Sequence, residues 1–473
     1  MNYKSILFFL GIFSLLVSVL SILNILYAIY FDFILDINSY LITLIISSFI
    51  GILFIYIGHN FKENVLPSDQ LAIILLSFLL IPLLISIPYF LSVYDINALN
   101  SYFESVSGFT TTGFSIIKNP TYIDDPLILW RSSSQWIGGL LFLLATIGTI
   151  GSKQVKIKPA YLISGGASGR NFYNNFNYNF LKILIIYFIS TIFVIFLYSI
   201  VDLRLLDAFN LAFTTISSGG FIPNDNLFNI IENDLQIFTL SITLLIPIFN
   251  FFLLYDVISR KFSVKNYQED FHLSFLIIFL TLLFYFFIIP NENFVNVFLA
   301  ITSSISTSGI SVYTLNLDLS LFFILLTIVG GSLISTSSGF KYTRIYILLK
   351  ISYQEIYRLV KPMHVIDKNL FNLEAKIDEQ DVRMAFLVFL SLIISIFILS
   401  SILAFDNLTF EDSFKLSILT LTNTVSSTLY GMNNLNFIDL NNFTKMSLII
   451  FMILGKVEII AVIYLIKRFI LRE

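Results

Sequence analysis

The sequence predicts an all-α polytopic membrane protein: four tandem repeats of span, half-helix and span, preceded by two extra N-terminal transmembrane helices. Three observations predict it. First, the 473-residue chain is 57% hydrophobic and only 12% charged, with mean hydropathy +0.88, whereas a soluble protein carries about 25% charged residues. Second, the apolar residues fall into runs that reach the roughly 20 residues needed to cross a bilayer. Third, Gly/Ser/Thr-rich text recurs between those runs: ESVSGFTTTGFS from position 104, TTISSGGF from 214, SSISTSGI from 303 and NTVSSTLYG from 423.

Ten spans are expected, over 5–30, 39–58, 70–93, 127–150, 178–200, 235–258, 270–290, 319–350, 382–404 and 444–468. The first is too long for a cleaved secretory signal and reads as a retained span. The eighth is too long for one straight helix. Its glycine and serine runs at 330–332 and 335–339 predict a break there. Each polar tip follows a short segment with half-helix character, at 97–106, 207–215, 293–304 and 410–422. The resulting domains are 1–66 (the two N-terminal helices) and four repeats at 67–170, 171–265, 266–380 and 381–473. The segment 353–381 reads as a mixed-charge amphipathic connector, too small for a soluble domain.

Lys and Arg placement orients the chain. Lys4, Lys62, Lys153, Lys156, Lys158, Arg170, Arg260, Lys261, Lys265, the bases from Lys341 to Arg383, and Lys467, Arg468 and Arg472 fall on one side. The other side carries Lys118, Arg204, Lys415 and Lys445 against Asp32, Asp36, Asp95, Asp124, Asp125, Asp202, Asp225, Asp234, Glu292, Asp318 and Asp406. Both termini are therefore expected in the cytoplasm. The four tips are expected on the outer side, behind acidic loops.

The tips have the chemistry of a cation filter. A dehydrated K⁺ needs oxygens in place of its water, and extended backbone at membrane depth supplies carbonyls where it lines a pore. Glycine takes dihedrals that other residues avoid, and Ser and Thr add hydroxyl oxygens. Each half-helix would aim its partly negative C-terminal end at the ion. The chain has no Cys and only three scattered His, His59, His272 and His364, which argues against thiolate chemistry and a His metal cluster. A membrane-embedded transferase would need clustered His or carboxylates, which are missing. A transporter of organic solutes would use broken helices in inverted halves rather than four tips of one direction.

ESVSGFTTTGFS (104–115), WRSSSQWIGGL (130–140), GGSLISTSSGFKYTR (330–344) and LGKVEIIAV (454–462) together resemble the TrkH/KtrB/HKT superfamily of K⁺ transporters, and most of all its TrkH type. The resemblance covers essentially the whole chain, and the extra N-terminal pair is also TrkH-like. It implies a K⁺-channel-like, pseudo-fourfold arrangement around one pore, K⁺ as the transported ion, no organic cofactor in this chain and no enzymatic activity. It further implies an inner (plasma) membrane location, a homodimer, and control by a cytosolic nucleotide-binding RCK-type subunit (TrkA-like). H⁺- or Na⁺-coupled symport and Na⁺ permeation stay open.

Carried over residue by residue, the filter comprises Thr110, Thr111, Thr112 and Gly113; Ser217, Ser218, Gly219 and Gly220; and Ser306, Thr307, Ser308 and Gly309. The fourth tip departs from the family's pattern. Either Ser427 and Thr428 line the filter and Leu429 replaces a glycine, or Gly431 is the filter glycine; the first register is favoured here. The resemblance makes Gly330, Gly331, Ser335, Ser338 and Gly339 an intramembrane gate loop at 330–340. Lys456 stands where the family more often has Arg and faces that loop. Arg131, beside Gln135, either braces the pore segments or snorkels to the interface. Glu104 either adds negative potential at the mouth or pairs with backbone behind the tip.

Overall fold

The computed structural model describes residues 2–33, 36–63, 65, 67–150, 172–224, 226–258, 264, 267–312, 318–361, 369–372, 377–406, 408–432 and 435–471. Lys153, Lys156, Lys158, Arg170, Asp225, Arg260, Lys261, Lys265, Arg472 and His364, named above, lie outside the described residues. The described chain is all-helical. Seven helices are long and apolar enough to cross a membrane, or eight if one bent pair counts as a span. Phe49, Ile52 and Tyr56 on the second helix are more than half exposed, an apolar face that water would not tolerate but hydrocarbon does. The protein is a multi-pass membrane protein.

Helices α1 (Tyr3–Tyr30) and α2 (Ile37–Gly58) form the N-terminal hairpin. The rest repeats one order four times: a long helix, a short helix, a polar tip, a second helix. The long helices are α3 (Pro67–Leu91), α6 (Phe172–Ile200), α10 (Gln268–Leu283) and α14 (Glu379–Ala404). The short ones are α4 (Ala98–Phe109), α7 (Leu205–Ser217), α11 (Phe294–Ile305) and α15 (Phe410–Leu421). Three short helices start at a side-chain cap: Asn97, Asn293 and Thr409 accept from the Asn100, Val295 and Asp412 N–H groups, satisfying donors a helix start leaves orphaned.

Prolines within α3 serve packing. Pro82 and Pro88 interrupt its hydrogen bonds. The carbonyls three residues before them, Leu79 and Ile85, accept from the Tyr102 hydroxyl at 2.9 Å and the Trp130 indole N–H at 3.0 Å. This ties the first half-helix and the WRSSSQW segment to the outer helix.

The second helices differ most from expectation. In the first repeat α5 (Asp125–Ile150) is continuous. In the second, the segment 235–258 is not one span. It splits into α8 (Asp234–Thr243) and α9 (Phe251–Ile258) around Pro247, which cannot continue the ladder. In the third, the expected break falls between α12 (Ser320–Val329) and α13 (Tyr342–Val360). In the fourth, α16 (Asn442–Val457) and α17 (Ile459–Leu471) meet at Glu458, with φ +69°, and the segments bend by 101°. A single straight span over 444–468 is therefore corrected to two bent pieces. Three interrupted second helices explain why seven or eight long spans replace the ten expected.

Candidate ion site

The four short helices end alike. One or two residues beyond each end, a residue takes a left-handed conformation: Thr111 (φ 59°), Ser218 (φ 58°), Thr307 (φ 61°) and Asn423 (φ 49°). Each donates its N–H three residues back, to Gly108, Thr215, Ser304 and Thr420. The next residue donates five back: Thr112 to Ser107 at 2.9 Å, Gly219 to Thr214 at 2.8 Å, Ser308 to Ser303 at 3.2 Å, Thr424 to Leu419 at 2.9 Å. This is the helix-ending arrangement usually built on glycine. Here it rests on Thr, Ser and Asn, at a strain of about 1–3 kcal/mol each. Four such outliers in one structure mark a site that the surroundings over-determine.

These signatures set the register of the fourth tip. Its counterparts to 110–113, 217–220 and 306–309 are Thr422, Asn423, Thr424 and Val425. Side chains agree: Thr110 with Thr112 (2.8 Å), Ser306 with Ser308 (3.1 Å) and Thr422 with Thr424 (3.0 Å) form the same hydroxyl pair. Ser427 and Thr428, and likewise Gly431, lie beyond the ring. Ser427 precedes a short 3₁₀ turn over Thr428–Tyr430, and exposed Thr428 bonds to Ser311. The expected fourth-tip residues are thus displaced by one loop. The signal lay in the spacing from helix start to ring, which is shared by Asn97 and Gly113, Arg204 and Gly220, Asn293 and Gly309, and Thr409 and Val425. The valine at 425, where the other three tips have glycine, masks it.

The tips meet one another. The Ser218 hydroxyl donates to the Ser306 carbonyl at 2.6 Å, and the Asn423 amide donates to Thr112 Oγ1 at 2.9 Å. Residues 110–112, 217, 218, 306–308 and 422–424 are almost fully enclosed. Glycines elsewhere permit this convergence. A side chain at Gly138, in QWIGGL, would collide with the Phe109 carbonyl at the end of α4, and one at Gly455 would collide with Leu421 at the end of α15.

Behind the first tip, Arg131 and Glu104 pair at 3.0 Å, their side chains 3% and 0% exposed. Arg131 also donates to Ser115 at 2.9 Å and covers the Phe221 ring at 4.3 Å. Glu104 accepts from the Ile116 N–H at 2.9 Å. Of the two readings for each, geometry selects the brace: both bind the strand that leaves the tip. Gln135 does the same for the second tip: its side-chain amide donates to Thr214 Oγ1 at 3.2 Å and accepts from the Phe221 N–H at 3.3 Å.

Directly below the ring lies the loop 330–341. Gly330 (φ 63°), Gly339 (φ 81°) and Lys341 (φ 76°) reverse its direction. The loop reaches the second and third tips itself: Thr336 donates to the Ile216 carbonyl at 2.8 Å, and the Ser338 N–H donates to Thr307 Oγ1 at 2.9 Å. Lys456 links it to the first, donating to Ser338 Oγ at 2.8 Å and Thr111 Oγ1 at 2.7 Å. Its ammonium also sits 4.3 Å from the Phe142 ring centre. Gly331 and Ser335 complete the loop through Ser337, whose hydroxyl accepts from the Gly331 N–H at 2.9 Å and pairs with Ser335 at 2.8 Å.

Two partners of this loop were not foreseen. Lys341 is buried and donates to the carbonyls of Ser332, Ser335 and Ser337 and to the Ser335 hydroxyl. An ammonium thereby satisfies carbonyls that no helix pairs. The second partner is the break in the second repeat. Ile248 and Pro247 carbonyls accept from Ser332 and Ser337 N–H groups at 2.8 and 3.2 Å, and Phe251 N–H donates to Ile334 at 3.0 Å. Asp270 caps the break by accepting from the Asn250 N–H at 2.9 Å.

On the side of the ring away from this loop, part of the acidic surplus is spent on local pairs. Asp125 holds Arg204 at 3.2 Å, and Asp439 holds Lys118 at 3.3 Å. Burial raises the Asp124 carboxyl above its ordinary range, and the Tyr94 hydroxyl bond at 2.9 Å opposes that shift.

Fold and site define a polytopic helical membrane protein in which four half-helices aim their loop tips at one ring, over the loop 330–341. Comparison with known proteins shows what the chain is similar to. No protein-family model matches the chain. It is similar to the Trk system potassium uptake protein TrkG of Escherichia coli (26% identical over 426 residues, 86% of each chain). It is also similar to TrkH of Halomonas elongata (26% over 393 residues, 77% of this chain and 78% of the relative). An uncharacterized cation transporter of Methanocaldococcus jannaschii is 28% identical over 350 residues, 71% of this chain and 69% of its own. The fold matches the crystal structure of the potassium transporter TrkH from Vibrio parahaemolyticus, with TM-score 0.84, 22% identity and 98% of both chains covered. Over most of its length the chain is thus similar to Trk-type potassium uptake proteins, and it shares the fold of TrkH.

Proposed function

We propose that this protein takes up K⁺ across the inner (plasma) membrane, through one gated pore whose filter is the ring of tips. The observation that carries the reading is the fourfold repetition of one strained helix ending, with the four ends in mutual contact. Half-helix dipoles directed at a single point, surrounded by carbonyl and hydroxyl oxygens, form an environment for a bare cation. The filter comprises Thr110–Gly113, 217–220, 306–309 and 422–425, one wall from each of the repeats 67–170, 171–265, 266–380 and 381–473. The Trk names of the relatives supply the ion. Both termini are cytoplasmic, in keeping with the Lys and Arg bias.

The loop 330–341, held by Lys456, closes the pathway below the filter. Lysine has no planar fork, yet one ammonium bridges loop and filter. We extend the reading to a homodimer whose gate is controlled by a cytosolic RCK-type nucleotide-binding subunit. Val425, standing where the other walls have glycine, favours a second reading in which Na⁺ also passes.

Growth on limiting K⁺ tests the proposal, in a strain stripped of its own K⁺ uptake systems. The wild type should rescue growth, and Thr112→Ala and Gly113→Ala should not. No rescue by a wild-type protein present in the membrane, with or without an added RCK subunit, would refute K⁺ uptake. Equal uptake of Na⁺ would establish the second reading.

A further inference from the structure

The fourth wall of the ring carries a side chain where the other three carry none. A side-chain carbon built on Gly113 would lie 3.2 Å from Val425 Cβ; one on Gly220 would lie 2.7 Å from it; one on Gly309 would lie 2.7 Å from Val425 Cγ1. The isopropyl group thus occupies the shared space that three absent side chains leave. It is half-buried, whereas Thr422, Asn423 and Thr424 below it are almost fully enclosed. One apolar group therefore stands at the end of the ring away from the gate loop.

Glycine 113 takes φ +81° and Gly309 takes φ +67°, conformations that side chains disfavour. Val425 is not among the positive-φ residues, so its backbone accommodates a β-branched residue without that strain. An ion arriving at this level must shed water before it meets the enclosed oxygens. An apolar group there offers it no oxygen and narrows the passage, the condition under which hydrophobic constrictions impede ions.

We infer that Val425 is a hydrophobic collar at the outer end of the filter and that it limits the rate of ion entry. The inference rests on the K⁺-uptake reading above. It makes Val425 a rate-determining residue of the pathway, distinct from the gate loop on the ring's opposite side.

The test is Rb⁺ uptake into K⁺-loaded liposomes by purified protein, comparing wild type, Val425→Gly, Val425→Ala and Val425→Ile. Each is measured alone and combined with Lys456→Met, so that the gate does not hide a change at the collar. Removing the isopropyl group should raise initial uptake about threefold or more in Val425→Gly, with Val425→Ala between it and wild type, and Val425→Ile slower. Uptake by the wild type with no acceleration in either smaller variant, in either background, overturns the inference and leaves K⁺ uptake standing. Loss of uptake in both smaller variants also overturns it, by making Val425 a structural support. Absence of Rb⁺ uptake by both the wild type and Lys456→Met fails the transport reading itself, and the collar falls with it.

Discussion

The first and fourth tips have the same backbone and different surroundings. At the first, hydroxyls line Thr110 to Thr112, a glycine ends the ring, and a fully enclosed Arg131–Glu104 pair holds the outgoing strand. At the fourth, a valine ends the ring. The nearby cation, Lys415, is enclosed (4% exposed), but its partner Glu411 is open to solvent at 67%. The loop beyond turns through Gly431 and leaves the Ser427 hydroxyl buried with no hydrogen-bond partner among the described residues. The contrast teaches that the strained helix ending is what the four walls share, whereas the support behind each wall and the residue at its end are free to differ.

Breaking the stronger brace should have the largest effect. Arg131→Met leaves the Glu104 carboxylate buried and uncompensated, so thermal unfolding in detergent should show a loss of about 3–5 kcal/mol. Adding Glu104→Gln should recover part of it. Unchanged melting of Arg131→Met would mean the pair is dispensable.

Ending the first tip with a side chain comes next. Gly113→Ala places a carbon 3.1 Å from the Gly220 Cα in a left-handed conformation, and initial Rb⁺ uptake should fall about a hundredfold while the protein still folds, the strain being about 1–3 kcal/mol. Uptake near the wild-type rate would detach this tip from the pathway.

Releasing the loop 330–341, the proposed gate, sharpens the comparison from below. Lys456→Met removes bonds to both Thr111 and Ser338. Basal uptake should rise about tenfold, the equivalent of one charge-assisted hydrogen bond lost from the closed state. Unchanged basal uptake would remove Lys456 from gating.

The smallest effect is expected at the weaker support. Lys415→Met leaves behind only the solvent-exposed Glu411, so stability should change by about 0–1 kcal/mol. A loss as large as that of Arg131→Met would show that the two walls are braced alike after all.

Much of this was legible in the chain. The long apolar helices follow from hydropathy. The half-helices start within two residues of their predicted positions, because Asn97, Asn293 and Thr409 are good caps. The break at Gly330 follows from glycine and serine runs. What stayed hidden has one cause: contacts between segments distant in sequence. Lys341 reads locally as one of the bases on the cytoplasmic side, but its ammonium turns inward onto loop carbonyls. Pro247 lies in an apolar run long enough to span, and the break becomes tolerable only because loop 330–341 takes up the carbonyls it frees. Glu458 turns the last helix, with its carboxylate 2.7 Å from Arg344, more than a hundred residues away.

By itself the sequence determined a membrane protein with four repeated polar tips, since hydropathy, capping residues and glycine or hydroxyl content act over a few neighbouring residues. The register of the fourth wall became evident only in the tertiary structure, although the cap-to-ring spacing that encodes it is present in the sequence. Glycine content points to Gly431, or to hydroxyls near it, whereas the ring takes Val425. The physical reason is that the helix ending and its distance from the cap set the register, and both depend on where four half-helices meet.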